Sequence, residues 1–143
     1  MSKPKYLLDV NVLIAVSDSD HLHHKIAMRW FNTPALDWGL CALSEAGFLR
    51  ISANSKMGKL TVEQSITLLT SLTRHPGYRF WPIMAGWANL AAPFQERVFG
   101  HQQITDAYLL GLAVKENGVL VTLDKAIKFL AGAKYSKNVL VLE

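Results

Sequence analysis

The sequence predicts an α/β domain with a mostly parallel β-sheet, and three observations carry the prediction. Short apolar runs recur along the chain, at Tyr6–Leu8, Trp38–Leu43, Val119–Thr122 and Asn138–Leu142. Segments with helical apolar spacing separate them, the alternation expected of strand–helix–strand units. The 143 residues suit one domain, 1–143, and half of them are hydrophobic while 18% are charged. That balance can fill a core without disulfides or zinc and is too apolar for a disordered chain.

Each element follows in order. Tyr6-Leu7-Leu8 reads as a buried strand ending near Asp9, where the chain turns into a helix. Residues 21–31 have helical spacing with Ile26, Ala27 and Trp30 on the inner face, and Pro34 stops them. Trp38–Leu43 is the second strand, and Ser44 is positioned to cap a helix through Phe48, Leu49 and Ile51. After a loop at 54–58, Thr61 caps a helix with Val62, Ile66, Leu69 and Leu72 in register, ended by His75-Pro76-Gly77. Residues 78–82 form a short strand or extended piece, and the stretch 83–100 is ambiguous because Pro93 interrupts it. Thr105 caps a helix through Tyr108, Leu109, Leu112 and Val114, closed by Asn117-Gly118. Val119–Thr122 is a buried strand with Asp124 just beyond it, Ala126–Leu130 a helical turn or two, and Asn138–Leu142 a last strand.

Composition narrows the classes. Cys41 is the one cysteine, so no internal disulfide forms and a reducing, cytoplasmic setting is expected. Residues 1–6 are short and basic with only two leucines before Asp9, which does not read as a signal peptide, and no run is long enough to span a membrane. Fifteen Lys and Arg against eleven acids give a net charge of +4, which mildly favours a polyanionic partner.

The acids sharpen this. In open parallel sheets ligands bind beyond the carboxyl ends of the strands. Asp9 and Asp124 fall there, while Glu45 and Asp106 fall in first turns of helices that follow loops. Taken singly, each has an ordinary reading as a turn residue or as a partner of the helix dipole. Together they are four acids set in apolar sequence, three of them with few basic neighbours, and such charges are costly unless paired or bound to a cation. Converging carboxylates repel, and a proton or a hard cation relieves the repulsion. An all-oxygen set favours Mg²⁺, Mn²⁺ or Ca²⁺ over zinc, and such an ion can polarise a phosphodiester and activate water.

Four ordered motifs resemble a known family. They are Leu7-Leu8-Asp9-Val10-Asn11-Val12, Ser44-Glu45-Ala46-Gly47-Phe48-Leu49-Arg50, Ile104-Thr105-Asp106-Ala107-Tyr108-Leu109 and Val121-Thr122-Leu123-Asp124-Lys125. The pattern is similar to PIN-domain ribonucleases, more narrowly to VapC toxins of type II VapBC toxin–antitoxin systems. It covers nearly the whole chain and extends to the spaced His24, Ala27 and Trp30 and to Phe80-Trp81-Pro82. A lone Asp-x-Asn is a weak signal, whereas four motifs in order are strong. One departure is Ala46, where the subgroup more often has Asn before the glycine. The resemblance implies a PIN fold, a parallel sheet flanked by helices, and Mg²⁺- or Mn²⁺-dependent endonucleolytic cleavage of RNA. It implies Asp9, Asp106 and Asp124 as metal ligands, Glu45 as a ligand directly or through water, and Asn11 as an orienting residue. Thr105 and Thr122 would hydrogen-bond the carboxylates. A homodimer and a cognate VapB-type antitoxin are also implied.

Other constellations compete less well. His21, His23 and His24 lack the further ligands a zinc site needs, and His75 and His101 are isolated. Trp30 and Trp81 read as core, while Trp38 and Trp87 leave a dimer or antitoxin surface open. Arg50, Lys56, Lys59, Lys125 and Lys128 fit phosphate contacts or a solvated surface equally well. A phosphatase of the HAD type with Asp9 as nucleophile is the main alternative, but Asn11 cannot supply the acid such enzymes need at that place. A non-catalytic PIN adaptor would not need all four acids.

Overall fold

The computed structural model describes residues 3–54 and 60–143 of the chain. Its sheet joins β1 (Lys5–Leu8), β2 (Asp37–Gly39), β3 (Val119–Thr122) and β4 (Val139–Val141), all parallel, in the order β2-β1-β3-β4. The two central strands are therefore β1 and β3, with Leu8 opposite Val121. The Asp9 amide continues their ladder by donating to the Val121 carbonyl at 2.9 Å.

Both faces of a parallel sheet need cover, and successive strand residues point to opposite faces. Leu7 and Leu120 enter one core cluster, with Leu90, Leu109, Leu110 and Ile127. Their neighbours Leu8 and Val121 enter the other, with Val12, Leu13, Ala27 and Phe48. The second cluster is covered by α1 (Val10–Ser17), α2 (His24–Phe31), α3 (Ala42–Ser52) and α4 (Val62–Leu72). The first is covered by α5 (Trp87–Leu90), α6 (Ile104–Lys115) and α7 (Ala126–Ala131). No helix among the described residues is long and apolar enough to cross a membrane.

Several details differ from the sequence reading, each for a tertiary reason. Helix α3 starts at Ala42 behind Cys41, so Ser44 is no cap. It lies fully buried inside the helix, and its hydroxyl donates to the Leu8 carbonyl at 3.1 Å. Thr105 is not a cap either. A 3₁₀ turn at His101–Gln103 runs straight into α6 and puts Gln103 at the cap, leaving no extended residue for Thr105 to occupy. Helix α2 buries Ala27 and Phe31, with Ile26 and Trp30 only half-buried. Trp38 is core and not partner-facing: it is 0% exposed and donates its indole N–H to His75 Nδ1 at 3.1 Å. Trp81 is buried as expected, and Trp87 is half-buried with its indole N–H on the Ile104 carbonyl at 2.9 Å.

Thr61 does cap α4, in a reciprocal box with Gln64. The inner face of α4 is shifted, however: Ser65 is buried against the Ser52 hydroxyl while Val62 and Ile66 are exposed. Residues 78–82 run alongside β2 as an extended piece, with Arg79 N–H on the Trp38 carbonyl at 2.8 Å and Trp81 N–H on the Leu40 carbonyl at 2.9 Å. The ambiguous stretch resolves into α5 and a 3₁₀ helix at Ala92–Arg97, with Pro93 in its first turn, where a missing N–H costs nothing. Lys56, Lys59 and most of the expected loop at 54–58 lie outside the described residues.

Candidate active site

The site is built where β1 and β3 end side by side. Asp9 leaves β1 in an extended conformation (φ −68°, ψ 152°) and caps α1, its Oδ1 accepting from the Val10 amide at 2.8 Å. Its other oxygen, Oδ2, accepts from the Thr122 hydroxyl at 2.8 Å. The residue is buried, 8% exposed. Burial pushes its carboxyl above the ordinary value, the two hydrogen bonds pull the other way, and the nearby charge of Asp124 adds to the rise.

Thr122, the last residue of β3, is the pivot. Fully buried, its Oγ1 donates to Asp9 and accepts from the Asp124 amide at 3.0 Å and from Asn11 Nδ2 at 3.4 Å. Asn11 also accepts, through Oδ1, from the Leu123 amide at 3.2 Å. Asn11 and Thr122 thus tie the turn after β1 to the turn after β3. Asp124 is exposed, and its Oδ1 accepts from the Ala126 amide at 2.9 Å to open α7.

Asp106 comes from the first turn of α6 and is half-buried. Its carboxyl is pushed up to about 7, first by burial and then by the negative charges of Asp9 and Asp124. This mutual influence is the sign that the three aspartates gather at one place. Glu45, half-buried in the first turn of α3, is raised by burial alone, with no contribution from the three aspartates. Its charge is felt instead by Tyr78, whose phenol is pushed up to about 12 by burial, then by Glu45 and Cys41. Glu45 therefore flanks the trio. Among the described residues none of the four acids has a Lys or Arg partner, and no three His, Cys, Asp or Glu side chains stand close enough to share one metal ion as they are.

The other predicted participants sort readily. Thr105 is exposed and bonds no carboxylate among the described residues, so its supporting role is not seen. Arg50 and Lys125 are exposed, and Lys128 reaches Glu143 at 4.0 Å. His24 is structural, its Nδ1 bonded to the Ala15 carbonyl at 2.7 Å. Sequence reasoning missed Ser44 as the residue pinning α3 to the end of β1. Its place immediately before Glu45 is the only signal, and a cap gives the same signal.

Fold and site define an α/β domain with a group of acids at the carboxyl ends of its central parallel strands. The chain belongs to the PIN-domain family: the model of the PIN domain matches residues 6–133. Ribonuclease VapC39 of Mycobacterium tuberculosis is 36% identical over 130 residues, 89% of this chain and 94% of the relative. Ribonuclease VapC38 of the same organism is 37% identical over 128 residues, 87% of this chain and 89% of the relative. Among solved structures, VapBC2 from Rickettsia felis bound to a DNA fragment from their promoter is similar at a TM-score of 0.68 and 14% identity, covering 97% of this chain and 99% of that one.

Proposed function

We propose that the chain is a single PIN domain working as a metal-dependent endoribonuclease, the toxin of a type II toxin–antitoxin pair in the cytoplasm. The observation that carries the reading is the trio Asp9, Asp106 and Asp124, mutually repelling and without a Lys or Arg partner among the described residues, in a chain 36% identical to a named ribonuclease. Asp9, Asp106 and Asp124 would hold Mg²⁺ or Mn²⁺, with Glu45 reaching it directly or through water. The donor set fits: all ligating atoms would be carboxylate oxygens, and a hard cation would offset the burial and the repulsion that together lift Asp106. Because the acids do not enclose a point by themselves, water would complete the coordination, as Mg²⁺ prefers. When bound, such an ion polarises the phosphodiester and lowers the pKa of a water so that it can attack.

The chain's own residues supply the rest. Thr122 and the Val10 amide fix both oxygens of Asp9, so its carboxylate cannot rotate away. Asn11 and Thr122 hold the Asp124 turn against the Asp9 turn. Asn11 spends its amide on these bonds and offers no acid for protonating a leaving group, which weighs against the phosphatase alternative. The identity to VapC ribonucleases and the likeness to a VapBC assembly support a VapB-type antitoxin as partner. A homodimer as the working form is part of the same proposal. Incubation with total RNA with and without EDTA tests the reading. Cleavage that needs Mg²⁺ or Mn²⁺ and disappears in Asp9→Asn is expected, and cleavage that persists in EDTA would sink the metal mechanism.

A further inference from the structure

Two phenylalanines stand in solvent with their rings together. Phe99 is 77% exposed and Phe129 59% exposed. Their ring centroids lie 6.4 Å apart with planes inclined by 38°. Rings of this size gain much by burial, and here both stay largely in solvent.

Each ring is fixed to an element that carries an acid of the site. Phe129 lies on α7, whose first turn is tied to Asp124 by the Ala126 bond. The other face of α7 buries Ile127, Leu130 and Ala131, so the core sets the outward direction of Phe129. Phe99 lies in the turn that leads into α6 and Asp106. Gln103 clamps that turn: its Oε1 accepts from the amides of Phe99 at 2.6 Å and Gly100 at 3.2 Å, and its Nε2 donates to the Arg97 carbonyl at 3.1 Å. The rings therefore bridge the segments of Asp106 and Asp124. Cations stand on the same two segments. The Arg97 guanidinium packs on Gly132, just past α7, where an added Cβ would meet Cζ at 2.6 Å. Exposed Lys125 and Lys128 share the segment of Phe129, and Glu96 is the acid of the Phe99 segment.

We propose that Phe99 and Phe129 form a stacking platform for an unpaired base of the RNA next to the scissile phosphate, with Arg97 and Lys125 drawing in the adjoining backbone. The proposal rests on the ribonuclease reading. Exposed aromatic faces between cations are the pattern that binds single strands without reading their sequence, since every base has a π face. A protein partner would use the same rings without needing a base, and that difference can be measured.

The test is equilibrium binding, in EDTA to prevent cleavage, of the full chain to a short fluorescein-labelled unpaired RNA and to the same RNA carrying abasic residues. Wild type is expected to prefer the base-bearing probe. Phe99→Ala and Phe129→Ala should each weaken its binding by about 5- to 150-fold, the range of one lost base stack, and remove the preference over the abasic probe. Phe129→Trp should restore both, and melting temperatures should not move, because the rings are exposed. Equal binding of the two probes by wild type overturns the platform, and so does full binding by the alanine variants. Dissociation of a wild-type dimer by Phe129→Ala in light scattering overturns it in favour of a protein contact. Restoring Mg²⁺ separates the two readings. A wild type that stacks bases and never cleaves RNA sinks the nuclease and leaves the platform. One that cleaves while the alanine variants bind unchanged does the reverse.

Discussion

At the scale of single residues, the site depends on oxygens held in place more than on oxygens present. Asp9→Asn and Asp106→Asn remove a charge from the trio and should reduce cleavage to background. Thr122→Val is more informative, because it keeps all four acids and removes the hydroxyl that bonds Asp9 and receives the Asp124 amide. Loss of such a supporting bond typically costs about 10- to 100-fold in metal affinity or activity. Metal titration and cleavage rates of Thr122→Val beside Thr122→Ser check it, and serine should retain most of both. Asp106 also gives the metal-free protein a pH dependence. Its folded pKa, about 7, lies above its ordinary value of 3.8, so the folded state holds the proton more tightly. That contribution to stability is complete below the ordinary value and is lost as pH rises through about 7. Melting temperatures in EDTA should therefore fall between about pH 4 and pH 7, and Asp106→Asn should flatten the trend. An unchanged slope in that variant would show that another group is responsible.

At the scale of elements, the aspartates were legible because an acid directly after an apolar run marks a strand end. Leu7-Leu8-Asp9 and Val121-Thr122-Leu123-Asp124 both do so, and the strands fall where the runs predict. Helix starts were less legible. Ser44 and Thr105 have cap chemistry, but β2 ends at Gly39 and a 3₁₀ turn precedes α6, so the starts moved upstream of both. A cap depends on what precedes it in space, and composition does not record that. Burial of Trp38 was hidden for the same reason, since Phe31, His75 and Tyr78 reach it from two separate segments. The packing of α6 offers a test at this scale. An added Cβ at Gly111 would lie 2.6 Å from the backbone carbonyl carbon of Leu90. Gly111→Ala should push α6 off α5 and cost about 1–3 kcal/mol, the usual price of overpacking. Denaturant unfolding measures it, and a neutral or stabilised variant would mean that α5 yields freely.

At the scale of the whole molecule, the repulsion among Asp9, Asp106 and Asp124 is borne by the fold, and on the proposed reading a cation would relieve it. Mg²⁺ should therefore raise the melting temperature. Mass action gives about 2.7 kcal/mol at a hundredfold excess over Kd, which is several degrees for a chain of this size. Scanning calorimetry with and without millimolar Mg²⁺ tests this, and the shift should shrink in Asp106→Asn. The joining of β1 to β3 has one more consequence. Asp9 and Thr122 meet across a sequence separation of 113, so the ladder that aligns them is among the most non-local contacts of the chain, the kind that closes late and slowly in folding. A growing polypeptide carries Asp9 from the outset, yet it has no complete active site until β3 has been translated and has docked beside the first strand. On the proposed reading, the enzyme is incomplete for nearly all of its synthesis, and a chain terminated before Val119 lacks both Thr122 and Asp124.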